Sequence, residues 1–301
     1  MGLIFRWARL ASFMPGLVNF IIQTPFLKDL AKAAAGLART RNIPVFARQT
    51  FTQWFQRRTA GDPAKPGVIL WPDTFNNYFY PETAIAAVEV LEAAGYQVRL
   101  PRRVLCCGRP LYDFGMLHLA RQKLREILHT LEADILAGVP IVGLEPSCIA
   151  VFRDELLNFF PDDPTARRLS EQTYSLGEFL IRKADYHPPK LEARAIVHGH
   201  CHDKALIGMT EEAQLLDRLG LDYNLLDSGC CGMAGAFGFH KDHYELSIKI
   251  GEKVLLPAVR GAGTDTLIIT NGFSCREQIA QTTPRRALHL AQVLQMALTR
   301  V

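Results

Sequence analysis

From residue 67 onward, short apolar runs rich in β-formers alternate with long amphipathic stretches. Six runs read as strands: GVILWPD (67–73), QVRLP (97–101), VPIVGLEP (139–146), ARAIVHGH (193–200), DYNLLDSG (222–229) and TLIITNG (266–272). Most are separated by apolar residues at helical spacing, in ETAIAAVEVLEAAG (82–95), DFGMLHLARQKLREILHTLEADILAG (113–138), KALIGMTEEAQLLDRLG (204–220) and KDHYELSIKIGEKVLLPAVRG (241–261). Each of these closes on glycine, as helices commonly do. Strand alternating with helix predicts an α/β fold with parallel sheets covered on both faces. Paired prolines in YHPPKLEAR (186–194) interrupt the pattern and mark the expected boundary between two domains, 67–188 and 189–301.

The two halves repeat one another. WPDT (71–74) falls where HGHC (198–201) falls, the CCG at 106–108 matches that at 230–232, and EPSC (145–148) matches GFSC (272–275), at offsets of 127, 124 and 127 residues. Near-constant spacing over so long a period indicates an internal duplication with one domain per repeat. Every motif position also lies at or just past the carboxyl end of a predicted strand, where open α/β sheets place their ligands.

Residues 1–66 follow a different pattern and read as a basic helical arm or linker. The opening MGLIFRWARLASFMPGLVNFIIQ is apolar, but Arg6, Arg9 and Pro15 interrupt it. No stretch reaches the roughly 20 residues of a membrane span. It also lacks a secretory apolar region with a cleavage site, and Arg6 breaks a myristoylation pattern. The expectation is a cytoplasmic protein, with peripheral contact at the inner membrane surface as a further option. The arm holds ten Lys or Arg against Asp29 and Asp62, whereas the whole 301-residue chain is only +4. A basic arm on a mildly acidic body suits docking or a membrane surface. It does not suit nucleic acid, because no basic stripe runs through the body.

All seven cysteines (106, 107, 148, 201, 230, 231 and 275) lie beyond residue 100. An odd number without a secretory signal points to metal or redox work before structural disulfides. The second repeat offers Cys201, Cys230, Cys231 and Cys275, four thiols from three loops, a set that suits zinc or an iron–sulfur cluster. Structural zinc usually draws on CxxC knuckles, and this chain has none. Adjacent cysteines in a turn can instead reach different irons of a wide cluster, with Gly229 and Gly232 supplying the turn and letting amides approach sulfur. Gly235, Gly238 and a helix starting near His240 would add a helix N-terminus near an anionic group. A redox-active Cys230–Cys231 disulfide, or a phosphate-cradling GMAGAFG loop, are the other readings.

The first repeat has only Cys106, Cys107 and Cys148, with Thr74 at the position of Cys201. Asp73 or Glu145 could add an oxygen ligand, or the site could be an eroded copy that binds something else, such as an electron acceptor. His198, His200 and His202 would share one face at a strand end, opposite Cys201, in roles beside the ligands or in proton transfer. Asp203 and Lys204 read as helix-start residues. Arg109 and Tyr112 suit either an acidic ligand or a neighbouring helix face.

At these residues the chain resembles the cysteine-rich, or CCG-domain, family found in the cysteine-rich subunit of heterodisulfide reductase. The same family occurs in the iron–sulfur parts of glycolate, lactate and glycerol-3-phosphate dehydrogenases. LWPDTFNNYFYPE, CCGRPLYDFG, GLEPSC, HGHCHDKAL, DSGCCGMAGAFGF and NGFSCREQI are most similar to the carboxyl-terminal region of FAD-linked oxidases of D-2-hydroxy acids. PGLVNF and IPVFARQTFTQWF resemble the linker preceding that region. The resemblance implies an iron–sulfur cluster of the 4Fe–4S type on Cys201, Cys230, Cys231 and Cys275, with Cys106, Cys107 and Cys148 as a partial metal site. It implies FAD on a partner subunit or a separate domain, a ferredoxin-like iron–sulfur domain as a further partner, and electron transfer to a quinone or other acceptor. The substrate would be of the D-lactate, glycolate or D-2-hydroxyglutarate type. Glu145 and Gly272 stand where the family's full pattern has the first cysteine of a closing CxxC. A heterodisulfide-type reductase and a zinc-stabilised binding module are the alternative functions.

Overall fold

A computed structural model describes residues 1–59 and 61–299; the last two positions of the expected second domain fall outside them. The chain opens with four helices, α1 (Ile4–Ala11), α2 (Pro15–Gln23), α3 (Pro25–Ala35) and α4 (Phe51–Arg57). Proline at the first position of α2 and α3 suits a site whose amide would be unpaired anyway. Thr50 and Gln53 form a reciprocal capping box on α4.

The first repeat runs β1 (Gly67–Leu70), α5 (Thr74–Tyr78), α6 (Pro81–Ala93), β2 (Gln97–Arg99), α7 (Arg109–Asp113), α8 (Leu117–Leu136) and β3 (Ile141–Gly143). It continues through α9 (Pro146–Ala150), a π-helical turn, α10 (Leu156–Phe159), α11 (Pro164–Glu171), β4 (Thr173–Ser175) and α12 (Leu176–Arg182). The second comprises β5 (Arg194–Val197), α13 (Thr210–Leu219), β6 (Asp222–Leu225), α14 (Tyr244–Gly251), α15 (Leu255–Gly261), β7 (Leu267–Ile269), α16 (Phe273–Thr282) and α17 (Leu290–Thr299).

All six expected strands are present, and all pairings are parallel. They form two sheets, ordered β2-β1-β3-β4 and β6-β5-β7. The seventh strand, β4, is a three-residue edge strand wedged between two helices and carries no motif cysteine. Three long helical expectations are divided, the stretch 241–261 into α14 and α15 with a turn at 252–254 between them. Residues 113–138 break at Gly115, where φ is positive, so that α8 begins at Leu117. Residues 204–220 start as a π-helical turn over Asp203–Ile207, and the chain passes Gly208 before α13 begins.

Each sheet buries one face in a core of its own and the other in a core common to both. Val68, Leu70 and Val142 of the first sheet share a cluster with Val197 and Ile269 of the second, filled by Val88 and Leu91 of α6 and Val293 and Leu294 of α17. Across this centre α6 packs on α17 and α12 on α13. The remaining faces are covered by α8 and α11 on one side and by α15 and α16 on the other. The motif loops after β1 and β3 therefore meet those after β5 and β7: Phe75 of α5 stacks on Phe273 of α16 with ring centroids 4.1 Å apart.

Candidate metal centre

The sheets deliver the cysteines as the strand ends predicted. In repeat two, Cys201 opens the helical turn after β5, Cys230 and Cys231 lie in the loop after β6, and Cys275 is the third residue of α16 after β7. All four are free thiols, and each influences the next in the order Cys201, Cys230, Cys231, Cys275. In repeat one Cys106 neighbours Cys107, whose Sγ lies 3.0 Å from that of Cys148. The glycine of each CCG is a conformational requirement. Gly108 and Gly232 both sit at φ +89°, and a Cβ on Gly232 would approach the Ser247 carbonyl oxygen to 2.1 Å. This turn lets the Gly232 amide donate to Cys230 Sγ at 3.3 Å. Among the described residues no group of three or more His, Cys, Asp or Glu is gathered as the ligands of a metal ion.

The electrostatics of the two repeats differ. Hydrogen bonds from Cys201 and Cys231 hold the Cys230 thiol far below its usual range. Cys231, with His200 and His198, does the same for Cys275. Cys201 and Cys231 are raised in turn, by their hydrogen bonds to these neighbours and by burial. In repeat one the same kind of pull is outweighed at every thiol. Cys106 is raised by its hydrogen bond to Cys107 and by burial. Cys107 rises too, because its link to Cys148 and burial outweigh the hydrogen bond from Cys106. At Cys148 the hydrogen bond from Cys107 is outweighed by burial and the Asp73 and Glu145 carboxylates, which push the thiol up to about 11. The thiolate is the ligating form, and repeat two combines two lowered thiols with two raised ones, whereas all three thiols of repeat one are raised.

The carboxylates beside repeat one are committed elsewhere. Asp73 caps α5, accepting from the amides of Phe75 and Asn76 at 2.9 and 3.0 Å and from Asn76 Nδ2 at 2.7 Å. Glu145 accepts from Ser147 Oγ and from the amide of Phe273, both at 2.9 Å. Arg109 pairs with Asp113 and Glu155 and lies over the Tyr112 ring, so it serves the neighbouring helices.

Three sequence expectations change. The histidines do not share a face opposite Cys201, because β5 ends at Val197 and the chain is helical from Cys201, which destroys the strand alternation. His198 lies against Cys275, and His200 Nδ1 is 4.0 Å from Cys201 Sγ. His202 keeps a buried, unpartnered Nδ1, and burial followed by His200 and Arg109 lowers its pKa to about 4. No helix starts at His240; a 3-10 turn spans Phe237–Phe239 and α14 begins at Tyr244, while the Gly235 amide donates to Ser274 Oγ at 3.1 Å. The helix whose N-terminus does meet the thiols is α16, which carries Cys275. Asp203 and Lys204 are more than helix starters. Asp203 is buried with Oδ1 unpartnered, and burial, then Glu212 and Glu145, raise its pKa strongly. Lys204 turns back to Ser228, which stands two places before Cys230 and carries no motif signature of its own.

A pair of sheets, each ending in a CCG loop and facing the other, is the architecture of a duplicated cysteine-rich protein. The sequence profile of the cysteine-rich CCG domain matches residues 73–153 and 197–280, and the chain belongs to that family. Among curated proteins it is similar to a subunit of the anaerobic glycerol-3-phosphate dehydrogenase of Escherichia coli K12, with 29% identity over 320 aligned positions covering 97% of this chain and 80% of the relative. It is also similar to lactate utilization protein A of Bacillus subtilis 168, with 29% identity over 242 positions, 75% of this chain and 98% of the relative. The corresponding protein of Halalkalibacterium halodurans is 31% identical over 244 positions, 75% of this chain and 96% of the relative.

Proposed function

We propose that the protein is the electron-transfer component of a dehydrogenase, holding an iron–sulfur cluster of the 4Fe–4S type on Cys201, Cys230, Cys231 and Cys275. The observation that carries this reading is the difference between the repeats: repeat two alone brings four thiols, from the three loops after β5, β6 and β7, to one end of its sheet. His198 Nε2 and His202 Nδ1, buried without partners near these thiols, supply polar atoms suited to an anionic group. The names of the relatives, a glycerol-3-phosphate dehydrogenase subunit and a lactate utilization protein, favour a dehydrogenase partner acting on a hydroxy acid or hydroxyl substrate, and the flavin on that partner rests on the resemblance to FAD-linked oxidases. The cluster, when bound, accepts and releases single electrons. The chain's own part is to hold sulfur ligands, exclude bulk water from Cys231 and Cys275, and present the half-buried Cys201 and Cys230 toward an acceptor such as a quinone.

Repeat one is read as a degenerate copy with a structural role. Changing Cys230 or Cys231 to Ser is expected to remove most iron and the broad absorption near about 400 nm that dithionite bleaches. The same change at Cys106 or Cys107 leaves most iron in place. Circular dichroism stays largely native in all four variants, because an α/β core of this size does not need metal to form. Iron and sulfide per chain after anaerobic reconstitution decide the matter. Equal iron loss from both repeats would overturn the asymmetry, and a colourless zinc protein would overturn the function.

A further inference from the structure

His198 is the first residue beyond β5, the central strand of the second sheet. Its amide donates to Ile269 O and the Leu226 amide donates to Val197 O, both at 2.9 Å, so neighbouring strands fix its backbone from both sides. The imidazole is buried. Nδ1 lies 2.7 Å from Ser228 Oγ, while Nε2 has no hydrogen-bond partner and the ring lies against Cys275. Lys204 Nζ reaches Ser228 from the other side, donating to its carbonyl oxygen, to Oγ at 3.3 Å and to Leu226 O at 3.4 Å. Gly199 makes room for this return, since a Cβ there would stand 2.9 Å from Lys204 Cε and 2.8 Å from Met209 Sδ.

The direction of each hydrogen bond follows from what the groups can do. An ammonium only donates, so Ser228 Oγ accepts from Lys204 and has one proton left to give. His198 Nδ1 at 2.7 Å is the better acceptor for it than Leu226 O at 3.5 Å. An imidazole whose Nδ1 accepts carries its proton on Nε2, the atom left without a partner. We propose that Lys204 and Ser228 lock His198 in the Nε2-protonated tautomer, which leaves its unpartnered N–H available to the Cys275 sulfur once Cys275 ligates a cluster and so raises the reduction potential of the group Cys275 holds. Donation to a ligating sulfur stabilises the more negative, reduced state.

This role rests on the reading of Cys275 as a cluster ligand, and the duplication supports it independently. The repeat offsets place Trp71, Asn77 and Val104 opposite His198, Lys204 and Ser228. The relay is therefore missing from the repeat that lacks the fourth cysteine.

Potentiometric titration of the reconstituted full chain tests it. Ser228→Ala and Lys204→Met are expected to keep full iron and make reduction about tenfold less favourable, a fall of about 59 mV for one electron. Ser228→Thr, which keeps the hydroxyl, retains the wild-type potential. On the metal-free chain, imidazole 15N shifts should show His198 protonated at Nε2 in wild type and a tautomer mixture in Ser228→Ala. Full iron with an unchanged potential, or an Nδ1-protonated wild type, overturns the role of His198 alone. A wild-type chain that takes up no iron removes the cluster reading and this role with it.

Discussion

Glu145 stands where the family pattern has a cysteine, yet its carboxylate holds the neighbouring repeat together. Helix α16 begins after Gly272, which has no side chain with which to cap it, and Glu145 accepts from the Phe273 amide in its place. A carboxylate at that helix end also suits the helix dipole. A second carboxylate at this junction has a measurable signature. Glu212 of α13 accepts from Asn271 Nδ2 at 2.7 Å, and Asn271 Oδ1 in turn accepts from the Leu290 amide at the start of α17. Burial pushes the Glu212 carboxyl from about 4.5 up to about 7, with the Asn271 hydrogen bond opposing it. A folded-state value above the unfolded one means that the stability due to the protonated form is complete below about 4.5 and is lost as pH rises through about 7. Residual solvent access of the side chain moderates the effect to roughly 1–3 kcal/mol. Urea unfolding at pH 5 and pH 8 should therefore show a decline in wild type that is smaller in Glu212→Gln, where the buried Asp203 and Asp73, raised in the same direction, still contribute. The same decline in both proteins would show that Glu212 is not its source.

The N-terminal helices have two unlike sides. Facing the body, Ala8 is buried with Phe46, Tyr78, Phe79 and Phe273, and Arg41 is buried with Nε donating to Gly238 O at 2.8 Å and NH2 to Gln278 Oε1 at 2.6 Å. Facing away, Trp7, Phe13, Phe20 and Phe26 are 60%, 74%, 62% and 77% exposed. No acidic residue precedes Asp29. So large an apolar surface edged by cations is suited to a partner, and we expect it to dock the dehydrogenase subunit. Truncation at residue 60 would also remove Arg41 and the core residue Phe51, so the informative variant replaces the four exposed aromatics with Ser. Each exposed change should cost no more than about 0.5 kcal/mol of stability, while affinity for the partner falls at least about tenfold. Unchanged affinity rejects the docking role, and loss of binding to anionic vesicles alone reassigns the surface to lipid. Among the described residues no helix is long and apolar enough to cross a membrane. The sequence showed these helices but not Arg41, whose partners lie 197 and 237 positions away. Six strands were legible because apolar runs end in motif residues; β4 was not, being three residues hidden between helices. The cysteines were legible from their doublets. Lys204 and Ser228 were not, because only the β6-β5-β7 order brings them to His198 and Cys275.

At the scale of the whole molecule, duplication suggests two units, but the packing ties them into one. Were each repeat self-sufficient, its sheet would carry helices of its own on both faces. Here the inner faces share a single cluster, in which Val68 and Val142 meet Val197 and Ile269 through α6 and α17. Arg276 of α16 donates to Thr83 Oγ1 and Asn76 Oδ1 of the first repeat at 2.9 and 3.0 Å, and His289 Nε2 lies 3.0 Å from Leu144 O. These contacts are buried, so separating the repeats would expose apolar surface and strand polar groups together. We therefore propose that the sequence boundary near residues 186–194 divides two homologous halves that unfold together. Leu294→Ala, which opens a cavity in the shared cluster, should cost about 2–5 kcal/mol. It should lower one common transition, seen alike by far-ultraviolet circular dichroism and, with Trp7 and Trp54 replaced by Phe, by fluorescence of Trp71 in the first repeat. Residues 67–188 expressed alone should fail to reach that native signal. Two separate transitions, with Trp71 reporting only one of them and unmoved by Leu294→Ala, would show that the repeats are independent domains after all.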